Sequence, residues 1–296
     1  MKLSPNKKPS AHKEPQRVAL VTGTSSGFGL LTAIALAERG IRVLATMRDL
    51  HRRTALDDKI RQYCLSTQVD VLQLDVCDPT SIARCVRWAE ETYSNVDILV
   101  CNAGIAIPGF LEEMLEEQWH EIFATNLYGQ VGIINAVLPL MRQRRSGRII
   151  IISSLGGRVP TPMLGAYCAS KFALEGYGET LRLELRPFGI DVVLVEPGAF
   201  RTAIWNNPLL EYEPDNDESP YATDRKKLLH FYQDYIDKHL ADPWQVANCV
   251  SELATKRNTP RLRYPVGKDA LFQIMLRSVL PWRIYEIVAR RLVGLS

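Results

Sequence analysis

The sequence predicts an α/β protein with a doubly wound parallel sheet of about seven strands in a single domain. From residue 17 onward, short apolar and β-branched runs alternate with longer segments of helical periodicity, which is typical of parallel strands with helices on both faces. The apolar runs are nearly continuous, so each strand is expected to be buried on both faces. A chain of 296 residues is long enough for one large core.

Six strands and five helices are expected in order along the chain. The strands are residues 17–21, 42–46, 69–74, 97–101, 148–153 and 191–196. The helices are expected near residues 27–39, 50–63, 79–93, 115–145 and 166–186. Residues 261–266 are a candidate for a seventh strand. No internal repeat divides this alternation, so residues 17–296 are expected to form the domain that follows a tail of residues 1–16.

Charge and composition argue against several classes of protein. The formal net charge of +3 is too small to indicate nucleic-acid binding. The six cysteines contain no C-x-x-C pair, so we expect neither a disulfide framework nor a metal site, and we interpret them as buried thiols in a reducing cytoplasmic compartment. Residues 1–16 are polar and basic and lack the apolar core of a signal peptide. They are expected to be a disordered tail, with electrostatic membrane contact as the alternative.

A glycine-rich turn follows the first strand. The segment Thr22 to Gly29, TGTSSGFG, precedes an apolar-periodic helix. Glycines let the backbone approach a pyrophosphate closely, and the N–H groups of a helix N-terminus face negative charge, so a Rossmann-type dinucleotide site is expected. The spacing is T-G-x-x-x-G-x-G rather than the common G-x-G-x-x-G. The residues expected to line this site are Gly23, Ser25, Ser26, Gly27, Phe28 and Gly29.

A tyrosine and a lysine stand four residues apart in the helix expected near 166–186. This spacing puts Tyr167 and Lys171 on one helix face. A phenol has an ordinary pKa of about 10, and a nearby positive charge moves it toward neutrality. Such a group suits acid/base work at a carbonyl or alcohol. Taken alone, the two residues are equally interpreted as a surface pair.

With both motifs present, the chain resembles the short-chain dehydrogenase/reductase family, whose members combine this glycine turn with Tyr-x-x-x-Lys. Further matches are the N-A-G motif at 102–104, Ser154 thirteen residues before Tyr167, and a Pro-Gly pair with a threonine four residues later. The matches extend in order from Thr22 to Thr202. The strings NLYG and ATMRDL look most like the hydroxysteroid and retinol dehydrogenase branch, and bacterial ketone reductases look similar.

The resemblance implies an oxidoreductase that moves hydride between a nicotinamide and a carbonyl or alcohol, and it implies roles for individual residues. Tyr167 is the implied acid, Lys171 keeps the phenol acidic and binds the nicotinamide ribose, Ser154 binds the substrate oxygen, and Asn126 holds a water in the proton path. Further cofactor contacts are implied for Asp75, Val76, Asn102, Ala103, Gly104, Pro197, Gly198 and Thr202. From the residues alone, Asp75 is equally a turn residue, and Asn102 equally a tie between strands.

The end of the second strand bears on cofactor choice. An acidic residue there binds the ribose hydroxyls of NAD, whereas a positive charge accommodates the 2′-phosphate of NADP. In the family alignment, Met47 takes the position where NAD-preferring members carry Asp, and Arg48 takes a position that is basic in NADP-preferring members. NADP(H) is therefore the expected cofactor. Asp49 keeps NAD open, and Arg48 is alternatively a residue that only ends the strand.

Residues 199–243 are expected to form a substrate lid over the carboxyl ends of the strands. An aromatic-rich lid over such a crevice favours a bulky, lipophilic substrate. The alternative is that the rings only pack the lid onto the sheet. His230 is a candidate for a distal ligand contact, although a lone histidine is more often a surface residue. The rings are Phe200, Trp205, Tyr212, Tyr221, Phe231, Tyr232 and Tyr235.

Residues 267–296 are expected to form two amphipathic helices divided by Pro281. Each is too short and too charged to span a bilayer. Apolar residues mixed with arginines suit a segment that lies on a membrane surface or closes a lipophilic entrance, and packing on the subunit or on a dimer partner is the alternative. The family resemblance also implies a homodimer or homotetramer.

Two rival functions stay open at this point. A non-catalytic NADP(H)-binding redox sensor of the same fold would be expected to lack Tyr167 or Lys171, and both are present. A lyase or epimerase with the same cofactor turn would be expected to carry a longer C-terminal substrate domain.

Overall fold

The computed structural model describes residues 16–202 and 218–295, and within them seven parallel strands form one sheet. The strands are β1 (Val18–Val21), β2 (Arg42–Met47), β3 (Val69–Gln73), β4 (Ile98–Cys101), β5 (Gly147–Ile152), β6 (Ile190–Pro197) and β7 (Arg263–Val266). Their order across the sheet is β3-β2-β1-β4-β5-β6-β7. The predicted fold class is confirmed, including the seventh strand. Residues 1–15 of the predicted tail lie outside the described residues.

Helices flank both faces of this sheet. They are α1 (Gly27–Glu38), α2 (Thr54–Gln62), α3 (Pro79–Tyr93), α4 (Glu116–Phe123), α5 (Gly129–Arg144), α6 (Gly165–Leu185), α7 (Ala222–His239), α8 (Trp244–Thr255), α9 (Lys268–Val279) and α10 (Trp282–Leu292). α3 begins where the sequence carries a helix start signal, because the Asp78 side chain accepts a hydrogen bond from Thr80 N at 2.8 Å and Pro79 fills the first helical position.

Alternate residues of each strand enter two separate apolar cores. Val21, Val43 and Val100 pack into the core that contains α1 and α8. Leu20 and Leu99 point to the opposite face and pack into the core that contains α3 and α5. Because both faces are covered, the functional groups of the strands are available mainly at the strand ends.

One predicted helix is interrupted. The sequence predicts continuous helix over 115–145, but a π-helical turn at Ala124–Tyr128 separates α4 from α5. A π turn inserts one extra residue into the helical ladder, which frees its side chains to point in directions that a regular helix does not allow. Asn126 lies at the centre of this turn.

Two expectations for the cysteines have different outcomes. All six thiols are free, and Cys85, Cys101 and Cys168 are buried as expected. The interpretation as buried thiols is wrong for Cys64 and Cys77, which are exposed. Both lie in segments that follow secondary structure rather than in the strand interiors, where apolar neighbours would cover them.

The C-terminal region has the predicted form. Pro281 separates α9 from α10, because a proline cannot continue the helix that precedes it. No helix in the described ranges is long and apolar enough to cross a bilayer.

Candidate active site

The predicted site residues meet at the carboxyl ends of β1, β4, β5 and β6. The chain reverses its direction of sheet growth between β1 and β4, which are neighbours in the sheet. In open parallel sheets this reversal leaves a crevice outside the carboxyl ends of the strands. The glycine turn after β1 and the N-A-G segment after β4 face each other there.

The backbone of the glycine turn leaves no room for side chains. Gly23 has a φ of +70°, and a Cβ on it would lie 2.9 Å from the Ala103 Cα. A Cβ on Gly29 would lie 2.2 Å from the Gly23 carbonyl oxygen. Both positions therefore require glycine, and the turn stays thin enough for close approach by a ligand.

Asn102 holds this turn against β4. Its side-chain amide donates to the carbonyl oxygens of Thr22 at 2.9 Å and Gly23 at 3.0 Å. The Thr22 hydroxyl in turn accepts the backbone N–H groups of Asn102 and Ala103, both at 2.9 Å. Asn102 thus ties adjacent strands, which is one of the two roles that the sequence left open.

The start of α1 fits an anion. Ser26 precedes the helix in an extended conformation, and its side chain does not cap the first-turn N–H groups. A helix N-terminus with uncapped N–H groups attracts negative charge. Gly27 faces Thr202, whose Cβ would be 3.6 Å from a Cβ at that glycine. The turn fits a dinucleotide pyrophosphate, which Gly23, Ser25, Ser26, Gly27, Gly29 and Thr202 would hold.

The Phe28 side chain packs into the apolar core and does not line the glycine turn. Its ring packs edge-on against Phe200, with centroids 5.6 Å apart, and it lies against the apolar core beneath α1. Any contact of Phe28 with a cofactor is therefore expected through its backbone.

The residues after β2 and β3 have distinct surroundings. Arg48 is exposed directly after β2, whereas the Asp49 carboxylate accepts a hydrogen bond from His51 N at 2.9 Å and caps a short 3₁₀ turn. The Asp75 Oδ1 accepts from Cys77 N at 2.9 Å, so the turn role that the sequence left open is occupied by one of its oxygens. Val76 packs against the Gly129 backbone.

Ser154 and Tyr167 form a hydrogen-bonded pair. The Ser154 hydroxyl contacts the Tyr167 phenol across the start of α6. It also accepts the Gly156 N–H at 3.0 Å, which leaves its own proton available for donation. A larger residue at Gly156 would crowd the Tyr167 ring, since a Cβ there would lie 3.1 Å from Tyr167 Cε1. The neighbouring Ser153 is buried beneath the site beside Gly157 and does not share this position.

Lys171 and Asn126 lie behind this pair. The Lys171 ammonium donates to the Ile152 carbonyl oxygen at 2.9 Å and lies 5.8 Å from the centre of the Tyr167 ring. A Cβ on Gly104 would lie 3.7 Å from Lys171 Nζ and 3.3 Å from Asn126 Oδ1, so that glycine keeps a narrow passage between the two groups.

The π turn explains the direction of the Asn126 side chain. Its Oδ1 accepts from Ile105 N at 2.8 Å, and its Nδ2 donates to Ile105 O at 2.9 Å and Ser170 Oγ at 3.0 Å. These bonds use both amide protons and leave one acceptor position on the oxygen. Asn126 therefore clamps the segment after β4 to α6.

The proton affinities of this site differ from the expectation. The sequence predicts a lowered Tyr167 pKa, but burial raises the pKa of Tyr167 to about 12, opposed by the hydrogen bond with Ser154. Burial also lowers the pKa of Lys171 to about 8, opposed by the negative charge of Glu175. The predicted lowering of the phenol pKa is therefore wrong for the protein by itself, because desolvation outweighs an ammonium that is turned toward Ile152.

Asp269 is a residue near this site that the motifs do not reveal. Its Oδ2 accepts the Ala199 N–H at 2.8 Å and the Tyr235 hydroxyl at 3.4 Å. A Cβ on Gly198 would lie 2.3 Å from its carboxylate, so the turn after Pro197 packs directly on it. An acidic residue in the first turn of α9 is a helix-start signal that the sequence shows. The contact of Asp269 with Ala199, which is 70 residues away, has no signal in the sequence.

A partly buried ionic cluster near Lys171 is a second feature that the motifs do not reveal. Arg263 Nε is 3.0 Å from both Glu175 Oε2 and Glu196 Oε1, and Arg158 pairs with Glu196 at 3.0 Å. Glu175 stands four residues after Lys171, so helical spacing indicates that the two side chains share a face. No sequence spacing indicates that Glu196 on β6 and Arg263 on β7 lie near Glu175.

The described aromatic rings of the predicted lid mostly contact other side chains and backbone groups of the protein. Tyr221 stacks on Phe110 at 4.4 Å between centroids, and the Tyr232 hydroxyl donates to Pro162 O at 2.7 Å. Phe231 contacts Tyr232 and stacks on Tyr235. His230 is exposed, as a surface histidine would be. Trp205 and Tyr212 lie outside the described residues.

Comparison with known proteins extends these observations. The family model described as short chain dehydrogenase matches residues 17–211. An uncharacterised oxidoreductase of Bacillus subtilis is 38% identical over 277 residues, covering 93% of this chain and 98% of that protein. The 17-beta-hydroxysteroid dehydrogenase type 1 of Homo sapiens is 37% identical, covering 83% and 76%. Retinol dehydrogenase 8 of Bos taurus is 38% identical, covering 74% and 70%.

Solved structures similar to this chain include a short-chain dehydrogenase and a ketoreductase. A short-chain dehydrogenase from Streptomyces avermitilis matches with a TM-score of 0.76 and 32% identity, covering 95% of this chain and 98% of that one. Actinorhodin polyketide ketoreductase with NADPH matches with a TM-score of 0.74 and 29% identity, covering 86% and 97%. The likeness extends over most of the chain in both sequence and fold.

Proposed function

Because this chain belongs to the short-chain dehydrogenase family and is one of its oxidoreductases, we propose that it transfers hydride between NADP(H) and a carbonyl or alcohol group of a bulky lipophilic substrate. Steroid-like, retinoid-like and long-chain ketones are the substrate classes we expect. The observation that carries the proposal is the hydrogen-bonded pair of Ser154 and Tyr167 beside the buried Lys171, at the same sheet edge as the glycine turn.

The glycine turn, Asn102 to Gly104 and the segment from Pro197 to Thr202 would hold the cofactor. When bound, the nicotinamide supplies or accepts the hydride, which no side chain of this chain can do. Asp75 keeps one carboxylate oxygen outside its turn contact for the adenine, and Val76 lies beside it. Lys171 Nζ has further donors beyond its bond to Ile152, and these would hold the ribose hydroxyls.

The side chains divide the proton chemistry between them. Ser154 donates a hydrogen bond to the substrate oxygen and so stabilises negative charge as it develops there. Tyr167 then gives that oxygen its proton, and the positive charge of Lys171 stabilises the phenolate that forms. Asn126 would hold a water on its remaining acceptor position for the return of a proton. A phenol with a pKa of about 12 stays protonated at neutral pH, as the proton donor in carbonyl reduction must be.

The preference for NADP(H) rests on the charges after β2. Arg48 is exposed at the sheet edge, where a guanidinium can bind a phosphate in bidentate geometry. Asp49, which kept NAD open, is engaged in capping the 3₁₀ turn at Leu50–Arg52. A structural relative carries NADPH, as its description states, which is consistent with this preference.

The substrate class rests on the lid and on the relatives. The names of two relatives specify a hydroxysteroid and retinol, both of which are largely apolar molecules. In this chain Met163, Leu228 and Tyr232 form a buried apolar cluster, and Phe110 and Phe231 pack against it. These side chains fill the space between them, so the cluster makes the predicted lid apolar at its base, and such surroundings favour a lipophilic ligand over a charged one.

Self-association is a further part of the proposal. Tyr128, Phe172 and Leu183 lie on the helical segments that carry Asn126 and Tyr167, and all three are exposed. Exposed large apolar groups on long helices favour association of subunits. We therefore expect a homodimer or homotetramer, and sedimentation equilibrium of the purified chain measures the number of subunits.

The proposed activity is tested by NADPH and NADH oxidation with a panel of steroid, retinoid and aliphatic ketones. Tyr167→Phe is expected to lower kcat by about 10² to 10⁴, because the acid is lost, while NADPH binding measured by fluorescence titration persists. Tyr177→Phe is the matched control, since that buried hydroxyl on the same helix has no hydrogen-bond partner. Activity that survives Tyr167→Phe, or no oxidation with any ketone, would count against the proposal.

A further inference from the structure

The two C-terminal helices expose an unusual number of large apolar side chains. Thirteen such side chains are exposed in the described part of the chain, and eight of them lie on α9 and α10. We call these eight the C-terminal apolar face. It consists of Leu271, Phe272, Met275, Val279, Trp282, Ile284, Ile287 and Leu292. A patch of this kind on a soluble protein marks a surface that something else covers.

The orientation of α9 is the reverse of an ordinary surface helix. Phe272, Met275 and Val279 recur at intervals of three and four residues, so they form one stripe, and they are 57%, 59% and 74% exposed. The inward side of the helix carries Ala270, which is fully buried. An ordinary surface helix directs its apolar stripe toward the core and polar groups toward water. The stripe of α9 therefore adds nothing to the core.

The helix α10 adds further exposed apolar side chains next to α9 in the chain. Tyr285 is its inward anchor and is only 6% exposed, whereas Ile284 and Ile287 are about half exposed. The guanidinium of Arg277 lies 5.0 Å from the Trp282 ring centre and 5.4 Å from that of Tyr285, which joins the two helices. Arg277 on α9 therefore links this helix to α10 across the break at Pro281.

The helices that carry this face are rich in positive charge. Residues 268–292 contain five basic and two acidic residues, a formal +3 that equals the net charge of the whole chain. One of the two acidic residues, Asp269, is turned inward to Ala199 and Tyr235. The basic residues are Lys268, Arg277, Arg283, Arg290 and Arg291. Long basic side chains can place their stems on an apolar surface while their charges reach the polar layer above it.

We propose that the C-terminal apolar face binds the surface of an anionic lipid bilayer. Apolar groups would enter the boundary between headgroups and acyl chains, and the arginines would contact anionic headgroups. Trp282 suits this boundary, because its indole ring is largely apolar and carries one polar N–H group. Charge complementarity favours lipid over a second copy of this chain, since a two-fold contact of the face with itself would bring its arginines together.

The face adjoins the proposed substrate entrance. α9 starts at Lys268, directly after β7, and its Asp269 contacts the turn at Gly198 and Ala199. Beyond α10, Val293 and Leu295 pack against the cluster of Met163 and Tyr232. A lipophilic substrate dissolved in the bilayer would therefore reach the crevice without crossing water. This consequence rests on the proposed function, whereas the lipid binding does not.

Vesicle co-sedimentation of the full chain tests the proposal. The probes are vesicles of phosphatidylcholine alone and of phosphatidylcholine with about one third phosphatidylserine. We expect binding to the anionic vesicles and binding at least about 10-fold weaker to the neutral ones. The double variant Phe272→Glu and Ile287→Glu is expected to lose binding by more than about 10-fold. Leu115→Glu, at a position before α4 that is 63% exposed, is the matched control and should bind like the parent.

A second pair of substitutions tests the charges. Arg283→Gln with Arg291→Gln is expected to weaken binding to anionic vesicles by about fivefold for each arginine and to leave binding to neutral vesicles unchanged. Equal binding to both vesicle types, no binding to either, or parental binding by the Phe272→Glu and Ile287→Glu variant would overturn the proposal. So would a change in subunit number in that variant without loss of lipid binding, which would identify a contact between copies.

Activity on a water-soluble ketone, measured with each variant, keeps the two proposals separate. Retained NADPH oxidation together with lost vesicle binding assigns the face to lipid and leaves the catalytic site intact. Absence of oxidation in the parent as well would count against the proposed function alone.

Discussion

Burial sets the proton affinities of the two titratable residues at the proposed site. It raises the pKa of Tyr167 to about 12 and lowers the pKa of Lys171 to about 8. At neutral pH the phenol therefore keeps its proton and most of the lysine keeps its charge. Of the two groups, only Lys171 changes its protonation state just above physiological pH.

This difference predicts the pH dependence of ketone reduction. As pH rises through about 8, Lys171 loses the charge that stabilises the phenolate, so kcat at saturating NADPH is expected to fall up to about tenfold per pH unit. Lys171→Arg keeps its charge at all accessible pH, so its lower kcat should not show this decline. A parental profile that stays flat well above pH 8, or the same decline in Lys171→Arg, would contradict the assignment.

Glu175 is a carboxyl group near the proposed site whose pKa is raised. Burial raises the pKa of its carboxyl, and the nearby Glu196 raises it further, whereas Ser153 and Arg263 oppose the shift. In the folded protein Glu175 therefore holds a proton at a pH where the unfolded chain has released it. A raised carboxyl pKa contributes stability at low pH that is lost as pH rises toward the folded value.

Replacing Glu175 with glutamine removes this dependence. Between about pH 5 and pH 8, the free energy of unfolding of Glu175→Gln relative to the parent is expected to increase, by at most about 1.4 kcal/mol per pH unit. Denaturant unfolding at several pH values measures the difference. Glu179→Gln is the control, because Glu179 also pairs with Arg263 but its side chain is 51% exposed. A relative stability that does not change with pH would disprove the role given to Glu175.

Among the elements, those set by local pattern were predictable and those set by tertiary contact were not. The strand β5 follows from the run RIIII, and α3 follows from the Asp78-Pro79 start signal. The π turn at Ala124–Tyr128 has no local signature, because the bonds of Asn126 to Ile105 and Ser170 come from distant segments. The asparagine inside a helical pattern indicated only that something unusual had to occur there.

The helix α9 illustrates the same limit at the substrate side of the site. Its start is visible in the sequence, but Asp269 joins it to Ala199 after β6 and to Tyr235 in α7, and no spacing rule relates those positions. One carboxylate therefore connects three elements around the crevice. Its charge also faces the turn that the proposed function assigns to the nicotinamide.

Removal of this connection is expected to loosen the lid. Asp269→Ala removes the carboxylate that accepts hydrogen bonds from the Ala199 N–H and the Tyr235 hydroxyl, which should lower the free energy of unfolding by about 1–3 kcal/mol and raise KM for a bulky ketone. Asp269→Asn keeps an oxygen acceptor for Ala199 and should recover more than half of both losses. Denaturant unfolding and steady-state kinetics give the two quantities. Equal behaviour of the two variants would exclude the hydrogen bond as the cause.

For the whole molecule, the sheet order explains why motifs spread from Thr22 to Thr202 describe one site. The carboxyl ends of β1, β4, β5 and β6 adjoin one another in the sheet, and the glycine turn, the N-A-G segment, Ser154 and the Pro-Gly turn each follow one of them. The sequence therefore sufficed to predict that these residues lie at one edge of the sheet, where the proposed site is. It did not suffice for its electrostatics, because the partners of Glu196 come from elements remote in sequence, Arg158 after β5 and Arg263 on β7.

Binding of a dinucleotide across this edge should stabilise the entire domain. At a ligand concentration 100 times Kd, binding to the folded state alone contributes about 2.7 kcal/mol, which for a chain of this size raises Tm by about 4 °C. We expect NADPH to produce this shift and NADH to produce a smaller one at equal concentration, because only NADPH offers a 2′-phosphate to Arg48. Thermal unfolding with each nucleotide measures both shifts.

Two variants identify the source of the shift. Arg48→Ala should reduce the NADPH shift while leaving the NADH shift unchanged, and Arg52→Ala, an exposed arginine in the adjacent turn, should change neither. Gly29→Ala should abolish both shifts, because its Cβ would lie 2.2 Å from the Gly23 carbonyl oxygen and force the turn apart. Equal shifts with NADPH and NADH that do not change in Arg48→Ala would contradict the proposed preference for NADP(H), since the charge after β2 would then have no part in nucleotide choice.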